Sequence, residues 1–514
     1  MWLETQQEIA KKLVAYFTRR FTTNCGVNPR LYDLQMQAQV THSDNLALLR
    51  APSRDEIKQA LFSIDSTKTP GPDCYGAGFF KKYWNIIQHD FYDSITEFFT
   101  RGKLLRQLNH TFIALIPKID SPTQTQHFRP ISLCSTIYKT ITKIIVNRLR
   151  PLLDRLDSPV QSAFIPGRSI HDNILITTEL MHKFRMVKGK TAWVALKLDM
   201  EKAYDRLEWD FIHAWLQQYG FHHRFIQLIL ECITTTTYSV LVNGESAGMI
   251  KPTRGIRQGD PLSPYLFILC MEVLSSMLNA AAQKSKSGVG IKLCPNSDRL
   301  PCLLFADDCL LFCKADNTSC WTVKNILDQF CVLSGQLVNY QKLVLTFSKN
   351  ATTAHRQMVA GIFNITHSNS LGKYLGCPVL QKGPNSATFS DLLSKARNKL
   401  AGWKTNTLSK AGRVVLIQST LKALPAHMMQ CFKIPVTTAT QLDRINREFF
   451  WKRNNVNKGL PLVAWDKVCM PKTMGGLGLR RAHDVNLSFQ SKLAWKILRD
   501  NSSMWAHIMR AKYL

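Results

Sequence analysis

Short apolar runs separated by amphipathic stretches organise the chain, and one run carries two acidic residues. In Leu303-Leu304-Phe305-Ala306-Asp307-Asp308-Cys309-Leu310-Leu311-Phe312 the aspartates sit between two apolar segments, each of strand length. This pattern predicts a hairpin with Asp307 and Asp308 at or near its turn. An acidic pair in a tight turn often does no more than cap it. A buried carboxylate is costly, however, unless a positive charge sits on it, and a divalent cation is the most effective such partner. Upstream, Trp193 to Asp199 alternates, with Val194, Leu196 and Leu198 on one face and Lys197 and Asp199 on the other. Asp199 therefore ends a half-buried strand and points away from the core. Tyr204, Leu207, Phe211, Trp215 and Tyr219 then keep helical spacing, predicting one helix that Gly220 stops.

The same reading places the other elements. Ile9, Leu13, Phe17 and Phe21 predict an N-terminal amphipathic helix, followed by a polar connector to about residue 50. Ser53, with Glu56 three residues on, predicts a capped helix whose apolar face is Ile57, Ala60, Leu61 and Ile64. The prolines in Lys68 to Asp73 must end it. Phe112 to Lys118 reads as a strand, and Ile137 to Leu149 as a helix. Lys139, Lys143, Arg148 and Arg150 form a basic face on that helix, suited equally to a phosphate backbone or to solvent. Arg168 closes a turn-rich segment, and it and Arg129 are each candidates for phosphate contact, because guanidinium forks match phosphate oxygens. In Arg254 to Pro264, Asp260 is a good helix cap and Pro261 a good first helical residue. A buried helix follows through Leu262, Leu266, Leu269, Val273 and Met277, and Gly255 and Gly259 before it allow a ligand to approach the backbone.

Charge narrows the function. The chain has 514 residues, with 66 Lys and Arg against 36 Asp and Glu, a net charge of +30 and a pI near 9.7. Such an excess points to a polyanionic partner, nucleic acid before anionic membrane. No apolar run approaches the roughly eighteen residues that span a bilayer, the longest being Tyr265 to Val273. The N-terminal stretch carries Glu4 and Glu8 and makes a poor signal peptide or organelle presequence. Nucleus and cytoplasm, without membrane, are the expected locations. The 14 cysteines are scattered without zinc-ligand spacing, which fits a reducing compartment. Asp199 with Asp307 and Asp308, on strands able to be neighbours, makes a two-Mg²⁺ site for phosphoryl transfer. On a basic chain this means nucleotidyl transfer.

The chain resembles the reverse transcriptases of plant non-LTR (LINE-type) retrotransposons. The resemblance rests on Phe128-Arg129-Pro130-Ile131-Ser132-Leu133, Phe164-Ile165-Pro166-Gly167-Arg168, Leu198-Asp199-Met200-Glu201-Lys202-Ala203-Tyr204-Asp205, Arg257-Gln258-Gly259-Asp260-Pro261-Leu262-Ser263-Pro264, Phe305-Ala306-Asp307-Asp308 and Tyr374-Leu375-Gly376, in the family's order. It implies an α+β right-hand polymerase: fingers at 51–190, an antiparallel-sheet palm at 191–385 and a helical thumb at 386–455. An N-terminal helix with its connector (1–50) and a C-terminal extension (456–514) flank them.

On the resemblance, Asp199, Asp307 and Asp308 match the carboxylates that bind two Mg²⁺ ions, or Mn²⁺. Tyr204 matches the aromatic that clashes with a 2′-hydroxyl. Gln258 and Gly259 match the loop against the nascent base pair, and Lys342 matches the lysine that protonates pyrophosphate. Tyr374, Leu375 and Gly376 match the primer grip. Trp403, Leu408, Gly412 and Leu416 continue the match into the thumb, where Lys399, Lys404, Lys410 and Arg413 would grip the template–primer duplex. The implied partners are an RNA template, a DNA primer or target DNA, and dNTPs; oligomeric state stays open. The resemblance also places an endonuclease domain before this chain and a Cys/His-rich segment after it. Cys74 and Leu343 depart from the family pattern, which has glycine and a small polar residue at these positions. Two other readings stay open: a catalytically silent nucleic-acid-binding remnant, and a group II intron-type maturase.

Overall fold

Two four-stranded sheets carry the functional face. A computed structural model describes residues 3–23, 38–284, 288–295, 297–365, 371–380, 383–400, 407–451, 460–500 and 502–514. The first sheet holds β1 (His110–Pro117) and β2 (Phe128–Leu133); the second is centred on β3 (Trp193–Asp199). Strands β4 (Thr237–Val242) and β5 (Glu245–Ile250) complete the first in the order β2-β1-β4-β5, with β1 and β4 parallel. Strands β6 (Cys302–Phe305), β7 (Asp308–Lys314) and β8 (Val344–Phe347) complete the second in the order β8-β3-β7-β6, antiparallel throughout. The expected boundary at 190/191 therefore does not separate the sheets, because β4 pairs with β1 across it.

The helices that matter to the site are α1 (Gln6–Phe21), α2 (Arg54–Phe62), α3 (Thr136–Leu149), α4 (Ile170–Met186), α5 (Ala203–Arg206), α6 (Trp209–Gln218) and α7 (Ser263–Gln283). Helix α2 starts as its sequence dictates, with Ser53 Oγ accepting the Glu56 amide. The connector before it contains a further helix, His42–Leu49, closed by a capping box between Thr41 and Asp44. The helix expected from Tyr204 to Tyr219 is two, α5 and α6. Its break has a tertiary cause: Leu207 O accepts from the Gly255 amide at 2.8 Å, and the Glu208 amide donates to Ser334 O at 3.0 Å.

Helix α7 begins at Ser263 and not at Pro261, with Leu262 as its cap residue and Pro264 in its first turn; Asp260 still accepts the Leu262 amide through Oδ1, and its Oδ2 accepts from Tyr138. At 21 residues with mean hydropathy 1.6, α7 is long and apolar enough to cross a membrane, which no uninterrupted apolar run suggested. It is instead the central core helix, with 72% of its apolar window inside the protein.

Downstream, helices α8 (Asn317–Ser334), α9 (Ala423–Met429), α10 (Val436–Trp451), α11 (Ala482–Arg499) and α12 (Met504–Tyr513) complete the frame. A second core joins Phe389, Ile417, Phe449 and Phe450 to Val468, Leu479 and Ala482. The expected thumb boundary at 455/456 runs through this core. Past it, α12 folds back onto the main core through Trp505 and Met509, while Lys496 grips Asp172 on α4 at 2.7 and 2.9 Å.

Two expected duplex-gripping or phosphate-facing cations are interior. Arg148 makes a bidentate pair with Glu56 (2.7 and 2.9 Å), and Arg413 closes on the carbonyls of Phe449 and Phe450. Lys410 lies over the Trp451 ring, and Trp403 and Lys404 lie outside the described residues.

Candidate active site

The antiparallel register of β3 and β7 sets Asp199 directly opposite Asp308. Asp308 also pairs with Phe305 across the β6–β7 hairpin, which puts Asp307 in the turn as its sequence predicts. Ala306 takes the left-handed conformation there (φ 52°), and its amide donates to Gln161 Oε1 at 3.1 Å. All three carboxylates thus share one end of the sheet. Burial raises the Asp307 carboxyl above the usual range, and the charges of Asp308 and Asp199 add to this. Burial raises Asp308 as well, opposed by Lys197 and reinforced by Asp199.

Gly335 to Lys342 runs beside this edge. Its Leu337 O accepts from the Glu201 amide at 2.8 Å, and its Asn339 amide donates to Asp199 O at 2.9 Å. Lys342 Nζ then reaches Asp199 Oδ2 at 2.5 Å. A Cβ on Gly335 (φ 75°) would stand 2.6 Å from Arg206 O, so only glycine lets the segment pass under α5.

Tyr204, on α5, stacks its ring on Phe267 at 5.1 Å and 14°. Burial, then the nearby Asp307 charge, pushes its hydroxyl up, which keeps it protonated. The loop before α7 is stitched beneath it: the Ile256 amide donates to Tyr204 O at 2.8 Å. Gln258 O accepts from the Ser132 amide at 2.7 Å, and a Cβ on Gly259 would meet Ser132 O at 2.9 Å. Buried Arg257 anchors the loop, lying 3.9 Å from the Tyr138 ring centroid and donating to Thr111, Asn109 and Cys232 O.

The two arginine candidates part company. Arg129 is exposed on β2. Arg168 is turned into its own loop: its two terminal nitrogens bond the carbonyls of Ser158, Gln161, Asp154 and Asp157, and the Asp154 carboxylate. The turn before α4 is built around it.

Lys118 was not singled out from sequence. It follows β1, its amide donating to His127 O at 2.8 Å, and burial followed by the charges of Arg20 and Arg129 depresses its ammonium. The antiparallel pairing of Ile116 with Arg129 brings a lysine and an arginine to one sheet end, and no sequence signal displays it.

The third group is a small hairpin, β9 (Lys373–Tyr374) and β10 (Cys377–Pro378), with Leu375 (φ 48°) and Gly376 (φ 81°) in its turn. Tyr374 is buried. Lys197 donates to Lys373 O, and Leu375 O lies 2.9 Å from His427 on α9. The hairpin is therefore tied to the sheet that carries the three aspartates on one side and to a downstream helix on the other.

Carboxylate oxygens are hard donors and suit a hard divalent cation. Among the described residues no three ligating side chains already converge at bonding distance, and Lys342 holds one oxygen of Asp199. Carboxylates gathered at one sheet end are the donor type that two-metal nucleotidyl transfer uses.

The reverse transcriptase (RNA-dependent DNA polymerase) family profile matches residues 116–379, over half of the chain, and the chain belongs to that family. Its fold is the right-hand polymerase fold, and family members generally use divalent metal ions. Its relatives include proteins of transposon TX1 and of the R2 retrotransposable elements, which supports a non-LTR reverse transcriptase. The transposon TX1 149 kDa protein of Xenopus laevis is 27% identical over 400 residues, covering 77% of this chain and 30% of that protein. The Pol polyprotein of element R2DM of Drosophila melanogaster is 30% identical over 213 residues, covering 41% of this chain and 19% of that protein. An uncharacterized mitochondrial protein of Arabidopsis thaliana is 53% identical over 68 residues, covering 13% of this chain and 55% of that protein. The chain thus spans under a third of the length of the two retrotransposon proteins.

Proposed function

We propose that this chain is the polymerase core of a plant non-LTR retroelement, adding dNTPs to a DNA primer 3′-OH on an RNA template. The observation that carries the reading is Asp199 opposite Asp308, with Asp307 in the adjoining turn. Asp199, Asp307 and Asp308 would hold Mg²⁺, with Mn²⁺ a substitute. When bound, the ions supply charge neutralisation and activate the attacking hydroxyl. Lys118 and Arg129 bind the triphosphate, and Tyr204 excludes a 2′-hydroxyl by contact. Gln258 and Gly259 bear on the new base pair, and Tyr374, Leu375 and Gly376 hold the primer end.

Lys342 neutralises Asp199 in the resting enzyme and can give a proton to pyrophosphate once that pairing is broken. Nucleus and cytoplasm are the proposed locations. The division into fingers, palm and thumb is kept, with the thumb core extended to about residue 489.

Primer extension by the 514-residue chain, with a DNA primer, RNA template, dNTPs and Mg²⁺, tests the reading beside an Asp307→Asn control. Extension that the control lacks supports it. No extension, with salt-sensitive RNA binding retained, moves the protein to a binding remnant.

A further inference from the structure

Helix α1 lies before the residues that the family profile matches, and nothing assigns it a part in the chemistry. It nevertheless reaches the turn that carries Tyr204. Arg20, in its last turn, is 8% exposed and forms an ion pair through Nη2 with Asp205, which is 2% exposed. The rest of the guanidinium lies against the Tyr16 and Phe17 rings, 5.9 and 5.8 Å from their centroids. Asp205 is the neighbour of Tyr204 on α5, an element of only four residues that follows a left-handed Lys202 (φ 53°). So short a helix has little stability of its own and depends on outside contacts.

The same end of α1 also holds the loop on the other side. Arg20 O accepts from Arg254 Nε and Nη2 at 3.3 and 3.2 Å, and Phe21 O accepts from the Thr253 amide at 2.9 Å. That loop returns to α5 through Gly255 and Ile256, which donate to Leu207 O and Tyr204 O, both at 2.8 Å. A Cβ on Gly255 would sit 2.8 Å from Asp205 O, so the contact is close-packed. The circuit runs from Arg20 to Asp205, along α5 to Tyr204, across to the 253–256 loop and back to α1.

We propose that Arg20 is a positioning residue for sugar selection: α1 braces α5 through the Arg20–Asp205 pair and so sets the depth at which the Tyr204 ring meets the incoming sugar. This rests on the reading of Tyr204 as the sugar gate. An ion pair removed from water holds a fixed geometry strongly, and losing one partner strands a buried charge.

The test measures kcat/KM for dNTP and for the matching rNTP in primer extension by the full chain. Three variants are compared: Arg20→Lys, Arg20→Met combined with Asp205→Asn, and Tyr204→Ala. The double variant leaves no buried charge unpaired, and its melting curve reports folding. The expected result is a melting curve close to that of the parent and a dNTP preference reduced about tenfold, with most of the change in the KM for rNTP. Arg20→Lys, which keeps the charge without the planar fork, falls between. If the double variant does not fold, Arg20→Lys carries the test, with a loss of about threefold expected. Parental discrimination in the folded pair variant, or in Arg20→Lys should the pair variant not fold, overturns the brace alone when Tyr204→Ala has lost its own. Parental discrimination in Tyr204→Ala overturns the gate and the brace together.

Discussion

Asp199 and Asp308 face each other across one antiparallel ladder, and Lys342 is the cation that reaches one of them. Burial raises Asp307 and Asp308, and the mutual charge of three carboxylates at one sheet end adds to it. Asp308→Asn removes one charge from that cluster. We expect primer extension to fall by at least about 1,000-fold, the several kcal/mol that charge stabilisation at such a site supplies. Duplex binding should stay within twofold, and stability should rise by about 1 kcal/mol as repulsion is relieved. Loss of the fold with loss of activity would make the residue structural.

Tyr204 offers a sharper test, because its ring and its hydroxyl can be separated. The ring is fixed by stacking on Phe267, while the hydroxyl stays protonated near Asp307. Tyr204→Phe should keep dNTP preference and Tyr204→Ala should admit rNTPs, lowering discrimination at least tenfold in single-nucleotide extension. Equal discrimination in all three enzymes would reject the steric gate.

The hairpin that carries Asp307 and Asp308 was legible because its information is local: strand-length apolar runs leave the turn no other place. The capped start of α2 at Ser53 was legible for the same reason. The break at Leu207-Glu208 was not, since the groups that stop the helix come from Gly255 and Ser334. Arginine roles were illegible as well. Arg129 and Arg168 are the same residue type, yet one is exposed on a strand and the other is enclosed by carbonyls contributed from residues 154–161. Lys118 escaped notice because its importance comes from cross-strand pairing, which a linear pattern does not display.

Cys74, where the resemblance expects glycine, occupies the left-handed region with φ 61°. It follows a turn packed so tightly on α3 that a Cβ on Gly71 would lie 2.4 Å from Ser135 N. The backbone therefore keeps the turn and the side chain bears the strain. Cys74→Gly should stabilise the protein by up to about 1 kcal/mol, the left-handed penalty less the flexibility glycine restores to the unfolded chain. Cys74→Ala should bring no gain. The midpoints of denaturant unfolding of the two variants measure this directly.

Glu272 on α7 gives a pH dependence. Burial raises its carboxyl to about 7, against acceptance of the Ser158 amide and the Ser276 hydroxyl. The folded state therefore holds a proton that the unfolded chain has already released between pH 4.5 and 7. This group's contribution is full below about pH 4.5 and is lost as pH rises through 7, a change of roughly 3 kcal/mol at most. Glu272→Gln removes the charge and keeps one acceptor for the Ser158 amide, while its amide nitrogen donates to the Ser276 hydroxyl in place of accepting from it. It should melt near the parent at pH 5 and higher than the parent at pH 8. The same difference at both pH values would place the ionisation elsewhere.

Arg129 and Arg168 make opposite predictions from one residue type. Arg129 is exposed at the sheet end shared with Lys118, so Arg129→Ala should leave stability within about 0.5 kcal/mol. If Arg129 binds the triphosphate, the KM for dNTP should rise about tenfold, since a charge-assisted bond is worth about 1.5 kcal/mol or more. Arg168 satisfies three part-buried carbonyls, those of Ser158, Gln161 and Asp157, and the exposed one of Asp154. Arg168→Ala should therefore cost about 3 kcal/mol of stability. Lysine cannot replace it, because one ammonium cannot span carbonyls that the planar fork reaches together. Steady-state kinetics and unfolding midpoints measured on both variants separate the roles. A kinetic defect in a fully stable Arg168→Ala enzyme would return that residue to the substrate, and a destabilised Arg129→Ala enzyme with normal KM would remove Arg129 from it.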